Sequence, residues 1–167
     1  MEKILSNEVR NARYERVRSL MKGRGVDLLI AGMRDDNVRF FTGPYYRTLM
    51  SDYIFFPKEG DPSLLMGALG RTYLLFVYDR IEEYMWIKDR KLFTPENVAS
   101  DINKFEASKG TIAIADLSLL PQGVYQLLRK SFPDAELIDG ADIMVEARKL
   151  VTDEDIKILE KTADIAD

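Results

Sequence analysis

Three groups of residues have types and spacings that could do chemistry. The glycine-containing turn Gly67–Thr72 resembles a phosphate-cradling loop. However, it lacks the four-residue gap between glycines and the lysine that would meet the phosphate, so we predict a simple turn. The acidic clusters Asp35–Asp36 and Asp153–Asp155 offer oxygen ligands for a metal ion. Each stands where a helix is expected to begin, and carboxylates stabilise that end of a helix, so we predict capping at both places.

Aromatic residues form the third group and could stack on a ligand. They are Phe40, Phe41, Tyr45, Tyr46, Tyr53, Phe55 and Phe56. Apolar core segments account for the two phenylalanine pairs. Tyr45 and Tyr46 therefore remain as the exposed binding candidates.

The composition excludes several classes of chemistry. The chain has 167 residues, a net charge of −4, and neither histidine nor cysteine. A disulfide framework, a zinc finger, a Cys–His nucleophile, a Ser–His–Asp triad and an imidazole metal site cannot be built from it alone. The acidic balance gives no bulk basic field for phosphates, so we expect no nucleic-acid partner.

The length and the termini favour one cytoplasmic domain. A chain of 167 residues can bury one proper core. Met1–Ser6 lacks the apolar segment and the cleavage site of a signal peptide. The strongest apolar run, Tyr73–Tyr78, falls far short of the ~20 residues that span a bilayer, so no membrane partner is expected.

Apolar runs bounded by helix breakers indicate buried strands. They lie at Val26–Ala31, Tyr53–Phe56, Ser63–Met66, Thr111–Ala115 and Glu136–Asp139. Helical spacing of apolar residues, with capping signals, predicts a helix after Ser6 or Asn7, another after Thr94 and a third from Pro121. In the first of these helices Tyr14 is expected on the apolar face, and Arg13 is expected on a charged face in contact with solvent. Asp36 is expected to cap one short helical turn that ends at Gly43. This alternation predicts an α/β layer fold with a parallel or mixed sheet.

Two segments do not fit this simple alternation of strands and helices. The stretch from Arg71 to Lys88 is ambiguous: its first part suits a helix, and Tyr84–Ile87 could be a strand. The last segment begins with a capping box at Thr152–Asp155 and continues with an apolar stripe, Ile156, Leu159, Ala163 and Ala166. Because this helix meets no stop signal, the chain is expected to be either a piece of a longer one or a domain with a natural C-terminal helix.

Two stretches together resemble the creatinase / Xaa-Pro aminopeptidase / prolidase family of pita-bread metalloenzymes. Arg16–Met21, Gly25–Ile30 and Asn37–Gly43 are similar to the family opening R-x-x-x-L, G-x-D-A-L-L-I, N-x-R-Y-L-T-G. Arg148–Asp167 is similar to the junction R-x-I-K-S-x-x-E-I-x-x-L-x-x-A-x-x-I-A-D.

The junction departs from the family pattern at three positions. Val151 stands where lysine is usual, Thr152 replaces serine and Asp155 replaces glutamate. Between the two stretches, Arg71–Ile87 carries no motif that matches. The resemblance therefore rests on the order and spacing of motifs along the whole chain.

The resemblance implies a three-layer α/β/α domain with a mixed, largely parallel sheet over residues 1–147. Residues 148–167 would then be the linker and first helix of a C-terminal catalytic domain that is missing. In such enzymes that domain holds two divalent metal ions (Mn, Co or Zn) through two Asp, one His and two Glu. No catalytic or metal-ligating residue is expected in this chain, and the chain alone is not expected to be an enzyme.

The resemblance also implies a homodimer in which this domain overhangs the partner subunit's active site and narrows access to short proline-containing peptides. The loop after Gly43 would reach in. There Tyr45 and Tyr46 offer an aromatic wall, and Arg47 offers a guanidinium that can clamp a substrate carboxylate. These three residues are the predicted substrate-binding residues, acting in trans; an ordinary surface arginine is the alternative for Arg47.

Three functions fit the sequence. The leading one is the non-catalytic N-terminal domain of a metal-dependent Xaa-Pro dipeptidase or aminopeptidase. The second is the same domain in a creatinase-type amidinohydrolase or another pita-bread enzyme. The third is a free-standing α/β binding or dimerisation module.

Overall fold

The computed structural model describes residues 5–43, 52–67 and 85–166. Within them six strands lie at Leu28–Gly32 (β1), Tyr53–Pro57 (β2), Ser63–Met66 (β3), Asp89–Leu92 (β4), Thr111–Ile114 (β5) and Glu136–Asp139 (β6). The helices of the described residues are Asn7–Gly23 (α1), Asp35–Thr42 (α2), Pro95–Lys104 (α3), Gln122–Ser131 (α4), Ala141–Arg148 (α5) and Asp153–Ala166 (α6). A short 3₁₀ turn occupies Leu117–Leu119.

The described strands form one mixed sheet in the order β4-β3-β2-β1-β5-β6. β1 pairs with β5, β5 with β6, and β3 with β4, all in parallel. β2 runs antiparallel to both of its neighbours, β1 and β3. Parallel pairs therefore predominate, and the predicted mixed, largely parallel sheet is confirmed.

Strand periodicity divides the core into two layers, because successive side chains point to opposite faces of a sheet. Leu29 and Ala31 of β1 join one buried cluster, while Leu28 and Ile30 join the other. The first cluster is covered by α1, α2 and α5, and we call this side of the sheet the α1 face. The second is covered by α3 and α4 and is called the α3 face. The predicted three-layer α/β/α architecture is confirmed.

Most predicted helix signals act as expected. Ser6 caps α1 through a hydrogen bond that its hydroxyl accepts from the Val9 backbone N–H. Thr94 caps α3 in the same way. Gly25, just beyond the end of α1, has a φ of +64°, the left-handed conformation expected there.

Four sequence expectations differ from the structure. Strand β4 lies at Asp89–Leu92, whereas Met85–Ile87 are not in a strand, so the strand predicted at Tyr84–Ile87 was misplaced. Tyr84 itself and the helix predicted before it lie outside the described residues. Helix α5 was not predicted. Helix α2 spans two turns instead of one, and its N-cap position is occupied by Arg34, which makes no side-chain capping hydrogen bond, instead of by Asp36.

The apolar stripe of α6 is the fourth difference. Ile156 is 45% exposed and Leu159 66%, whereas the unpredicted Ile158 packs on the domain beside Leu5, Val9 and Trp86. Ile156 and Leu159 of the predicted stripe are therefore exposed in this chain.

Candidate functional site

The predicted substrate-binding residues Tyr45, Tyr46 and Arg47 lie outside the described residues. The structure does describe the two points between which they are connected. One is Gly43 at the C-terminal end of α2, and the other is Asp52 immediately before β2. The geometry of these two points defines the base from which a binding segment would extend.

Helix α2 ends at Gly43 for a conformational reason. The Gly43 backbone has a φ of +91°, which side-chain-bearing residues rarely adopt, and its N–H donates to the Arg39 carbonyl at 3.0 Å. A Cβ built at Gly43 would stand 3.5 Å from the Trp86 ring. The Trp86 backbone N–H donates to the Thr42 carbonyl at 3.3 Å. The backbone conformation of Gly43 is therefore fixed by its hydrogen bond to Arg39 and by the neighbouring Trp86.

The other end of the segment, at Asp52, is buried within the fold. Asp52 is 1% exposed, and its carboxylate accepts a hydrogen bond of 3.0 Å from the Gly67 N–H at the end of β3. Its backbone carbonyl approaches Gly32 so closely that a Cβ there would lie 2.6 Å from the oxygen. Glycine is therefore required at the end of β1, and both ends of the segment start from buried positions.

Arg13 brings together α1, α2, α6 and Trp86. Its Nη2 atom lies 2.6 Å from the Asp155 carboxylate of α6, and its Nη1 donates to the Phe40 carbonyl at 3.4 Å. The guanidinium carbon stands 5.1 Å from the Phe40 ring centre and 5.5 Å from that of Trp86. Cations over aromatic faces at such distances are attracted to the ring. We call Arg13, Phe40, Trp86 and Asp155 the Arg13 cluster.

Asp155 also belongs to the predicted capping box. Its carboxylate accepts from the Thr152 N–H at 3.0 Å, while the Thr152 hydroxyl accepts from the Asp155 N–H at 3.2 Å. Partial burial raises the pKa of Asp155, but the Thr152 hydrogen bonds and the nearby Arg13 outweigh it. The pKa consequently lies below its ordinary value, and the carboxylate is charged at neutral pH.

A second polar network lies at the carboxyl ends of β1 and β5, the edge of an α/β sheet where ligands commonly bind. Asn37 is 1% exposed, donates to the Asp116 carboxylate at 2.6 Å and accepts from Arg148 at 2.7 Å. Arg148 also pairs with Asp36 at 2.5 Å, and Arg34 pairs with Asp36 at 3.1 Å. The side chains of this network thus have partners within the fold.

The network sets the pKa values of its two carboxyl groups in opposite directions. Partial burial raises the pKa of Asp36, but Arg34 and Arg148 outweigh it and hold the pKa below its ordinary value. Burial raises the pKa of Asp116, against the opposing charge of Arg34. Both groups are part of a structural network that ties α5 to α2, and nothing in it forms a nucleophile and base pair.

A metal centre does not fit the residues that the structure describes. Across 5–43, 52–67 and 85–166, no three His, Cys, Asp or Glu groups come together to hold an ion. Asp35 and Asp36 instead lie in the first turn of α2, although the predicted N-cap at Asp36 was wrong, and Asp155 forms the predicted capping box with Thr152 at the start of α6. Helices in the same ranges include none long and apolar enough to cross a membrane.

A cavity of about 410 Å³ opens beside the Arg13 cluster. Phe40, Leu150, Val151 and Leu159 supply apolar lining, and Arg13, Asp36, Arg39, Arg148 and Asp155 line it with charge. Val151 is 58% exposed and Leu150 36%. The start of α6 and its preceding linker therefore present apolar surface that these described residues leave uncovered.

The sequence did not identify the residues that organise this region. Arg13 was assigned to a solvated charged face of α1, but its side chain is only 12% exposed. Arg148 appeared only as part of the junction motif. Their partners Asp155 and Asp36 lie 142 and 112 residues away in sequence, so no local spacing could have revealed the pairs.

Comparison with known proteins agrees with the fold. The family model described as "Creatinase/Prolidase N-terminal domain" matches residues 13–150. None of the curated proteins matches the chain significantly.

Solved structures resemble the chain at low identity. Prolidase from Pyrococcus horikoshii OT3 is 22% identical with a TM-score of 0.65, over 92% of this chain and 40% of that one. An Xaa-Pro dipeptidase from Bacillus anthracis is 17% identical with a TM-score of 0.67, over 91% of this chain and 39% of that one. An aminopeptidase P from Streptococcus thermophilus is 22% identical with a TM-score of 0.59, over 83% of this chain and 98% of that one. The chain thus spans about 40% of the length of the first two.

Proposed function

The chain belongs to the creatinase/prolidase N-terminal domain family, and on that premise we propose that it is the non-catalytic N-terminal domain of a metal-dependent Xaa-Pro dipeptidase or aminopeptidase. Its solved neighbours include a prolidase and an Xaa-Pro dipeptidase that are more than twice its length. The chemistry of the whole protein, including two divalent metal ions, then resides in a catalytic domain that follows this one.

The uncovered apolar surface of α6 is the observation that carries this proposal. Ile156 and Leu159 are 45% and 66% exposed, and Val151 in the linker is 58% exposed. Large apolar side chains exposed close together in one short stretch of chain favour a surface that packs against another one. We assign residues 1–147 to the N-terminal domain and 148–167 to the linker and first helix of the catalytic domain, whose other helices would cover Ile156 and Leu159.

Within this proposal the segment after Gly43 contributes to substrate binding. Tyr45 and Tyr46 supply an aromatic wall, and Arg47 binds the C-terminal carboxylate of a short proline-containing peptide in the partner subunit of a homodimer. Support comes from the base of the segment, because Gly43 is held by Trp86 and Asp52 is buried. A guanidinium on such a base can form two parallel hydrogen bonds to a carboxylate.

The decisive experiment compares this chain with the longer protein that contains it. Both are assayed with Xaa-Pro dipeptides in the presence of manganese or cobalt. We expect cleavage by the longer protein and none by the 167-residue chain. Cleavage by the chain alone would overturn the assignment, and hydrolysis of creatine instead of dipeptides would favour the creatinase-type alternative.

Arg47→Ala in the longer protein tests the substrate-binding role. We expect KM for dipeptides to rise by roughly tenfold or more, because a charge-assisted hydrogen bond to the carboxylate is lost. Arg16→Ala is the matched control, since Arg16 is exposed on α1. Unchanged KM in Arg47→Ala would remove Arg47 from the site.

A further inference from the structure

The Arg13–Asp155 ion pair is sheltered from solvent. The Arg13 side chain is 12% exposed and that of Asp155 is 19% exposed. Partly buried charges are screened less than surface charges, and removing one partner leaves the other uncompensated. The place of the Arg13 guanidinium therefore depends on the first turn of α6.

Arg13 in turn contacts the groups that define the end of α2. It donates to the Phe40 carbonyl, in the last turn of the helix, and covers the rings of Phe40 and Trp86. Trp86 faces Gly43 and also packs in a small cluster that contains Ile158 of α6. A displacement of α6 would consequently reach Gly43 through Arg13 and through Trp86.

The opposite end of α2 is connected to the same junction. Arg148, the last residue of α5, binds Asp36 and Asn37 in the first turn of α2. Helix α2 has eight residues and is about 12 Å long, so contacts at both ends fix its orientation. The 148–155 junction therefore holds this short helix from both ends.

We propose that Arg13 is a positioning residue that sets the direction in which the chain leaves α2 at Gly43 according to the place of α6. The contact itself needs no second domain. Its effect on substrate binding rests on the proposed function, because there the substrate-binding segment begins at Gly43 and α6 begins the catalytic domain.

The first test uses the 167-residue chain, in which Trp86 is the single tryptophan. Asp155→Asn and, separately, Arg13→Lys are compared with the parent chain by tryptophan fluorescence and amide hydrogen exchange. We expect Trp86 emission to shift to longer wavelength. The amides of Phe41, Thr42 and Gly43 should exchange roughly three- to tenfold faster, since local opening becomes easier.

Two matched controls isolate the contact. Glu154→Gln removes the neighbouring charge of α6, which accepts a hydrogen bond from the Ser6 N–H instead of binding α2. Arg16→Lys makes the same conservative change at an exposed position of α1. Both controls should leave Trp86 emission and the three amides unchanged. If Asp155→Asn and Arg13→Lys alter exchange in α6 alone, or if the controls match them, the proposal is wrong.

The second test uses the longer protein. Arg13→Lys should raise KM for Xaa-Pro dipeptides several-fold while kcat changes less than about twofold, since no metal ligand or reacting group is touched. Equal losses in KM and kcat, or no loss, would contradict the positioning role. If the longer protein lacks peptidase activity, the proposed function fails, whereas the fluorescence and exchange results still decide the role of Arg13.

Discussion

The two faces of the sheet are held in different ways. On the α1 face, arginines cross between elements: Arg13 binds α6, Arg24 pairs with Asp142 of α5, and Arg148 binds α2. On the α3 face, α3 and α4 lie on an apolar cluster, and lysines connect α3 to β4: Lys91 and Ser63 contact the buried carboxylate of Asp101, and Lys104 pairs with Asp89.

This difference separates stability from positioning. An apolar layer stabilises the fold without specifying small displacements, whereas a directional arginine contact fixes how two helices meet. The arginine contacts collect on the face that carries the end of α2 and the start of α6. We therefore expect changes on the α3 face to alter the free energy of unfolding alone, and changes on the α1 face to alter the Trp86 environment as well.

Asp101→Ala should give the largest effect. Asp101 is fully buried, so its removal leaves the Ser63 hydroxyl without its partner and leaves the Lys91 ammonium with Asp89 alone. We expect the free energy of unfolding to fall by about 3 kcal/mol in urea denaturation, with unchanged Trp86 emission from the folded protein. Lys104→Ala is the control. It breaks a half-exposed ion pair with Asp89 and should change the free energy of unfolding by less than about 0.5 kcal/mol. A loss below about 1 kcal/mol for Asp101→Ala would contradict this reading.

Gly43→Ala tests the α1 face at the end of α2. Because Gly43 has a φ of +91° and faces the Trp86 ring, we expect a loss of about 1–2 kcal/mol together with a shift in Trp86 emission. Gly23→Ala, in the last turn of α1 with open space around it, should be neutral or stabilising. Equal effects at the two glycines would break the proposed contrast.

Acid should loosen the α1 face through Asp155 and Asp36. Their pKa values lie below the ordinary 3.8, so each contributes stability above that pH and loses it as the pH falls through the lower folded value. We expect the free energy of unfolding to decrease below about pH 4, with roughly 1 kcal/mol of the decrease absent in Asp155→Asn. Denaturation curves from pH 6 to pH 2 measure this, and identical slopes for the two proteins would refute it.

Asp116→Asn should give the smallest effect, of opposite sign. Burial raises the pKa of Asp116, so its charged form is less favourable in the folded than in the unfolded chain. The amide still offers an oxygen to Asn37. We expect a gain of a few tenths of a kcal/mol at pH 7 and none near pH 3, where the carboxyl group is already protonated. A loss at pH 7 would show that the charge itself is needed there.

Local patterns were enough to predict most of the architecture. Val26–Ala31 and Thr111–Ala115 predicted the central parallel strands because strands buried on both faces are almost wholly apolar. Strand β4 could not be predicted in this way: three of its four residues are charged, and Lys91 is neutralised by Asp101 from another element. Helix α5 begins at Ala141, and its N-cap residue Gly140 has no side chain with which to cap it, so the usual start signal is missing.

The arrangement of side chains at the candidate site could not be predicted from the sequence for a related reason. Tyr14 was expected in the α1 core and lies there, with its hydroxyl donating to the Phe41 carbonyl at 2.8 Å. Arg13, its neighbour, was expected in solvent. Whether a charged side chain is buried or exposed depends on the partners that the fold supplies, and the local sequence does not show them. The same reasoning applies to the apolar stripe of α6, because its exposure depends on which other elements pack against the helix.

The outer strands of the described sheet also bear on how copies of the domain could associate. Strand β6 begins with Glu136 and ends with Asp139, and its neighbour on one side is β5 alone among the described strands. If two β6 strands met antiparallel to extend the sheet across two molecules, Glu136 of each would stand opposite Asp139 of the other, and like charges directly opposed are unfavourable. At the other end, β4 presents Asp89, Arg90 and Lys91, and such charge discourages edge-to-edge pairing. A sheet whose described outer strands carry such charge resists growing into a continuous ladder from one molecule to the next.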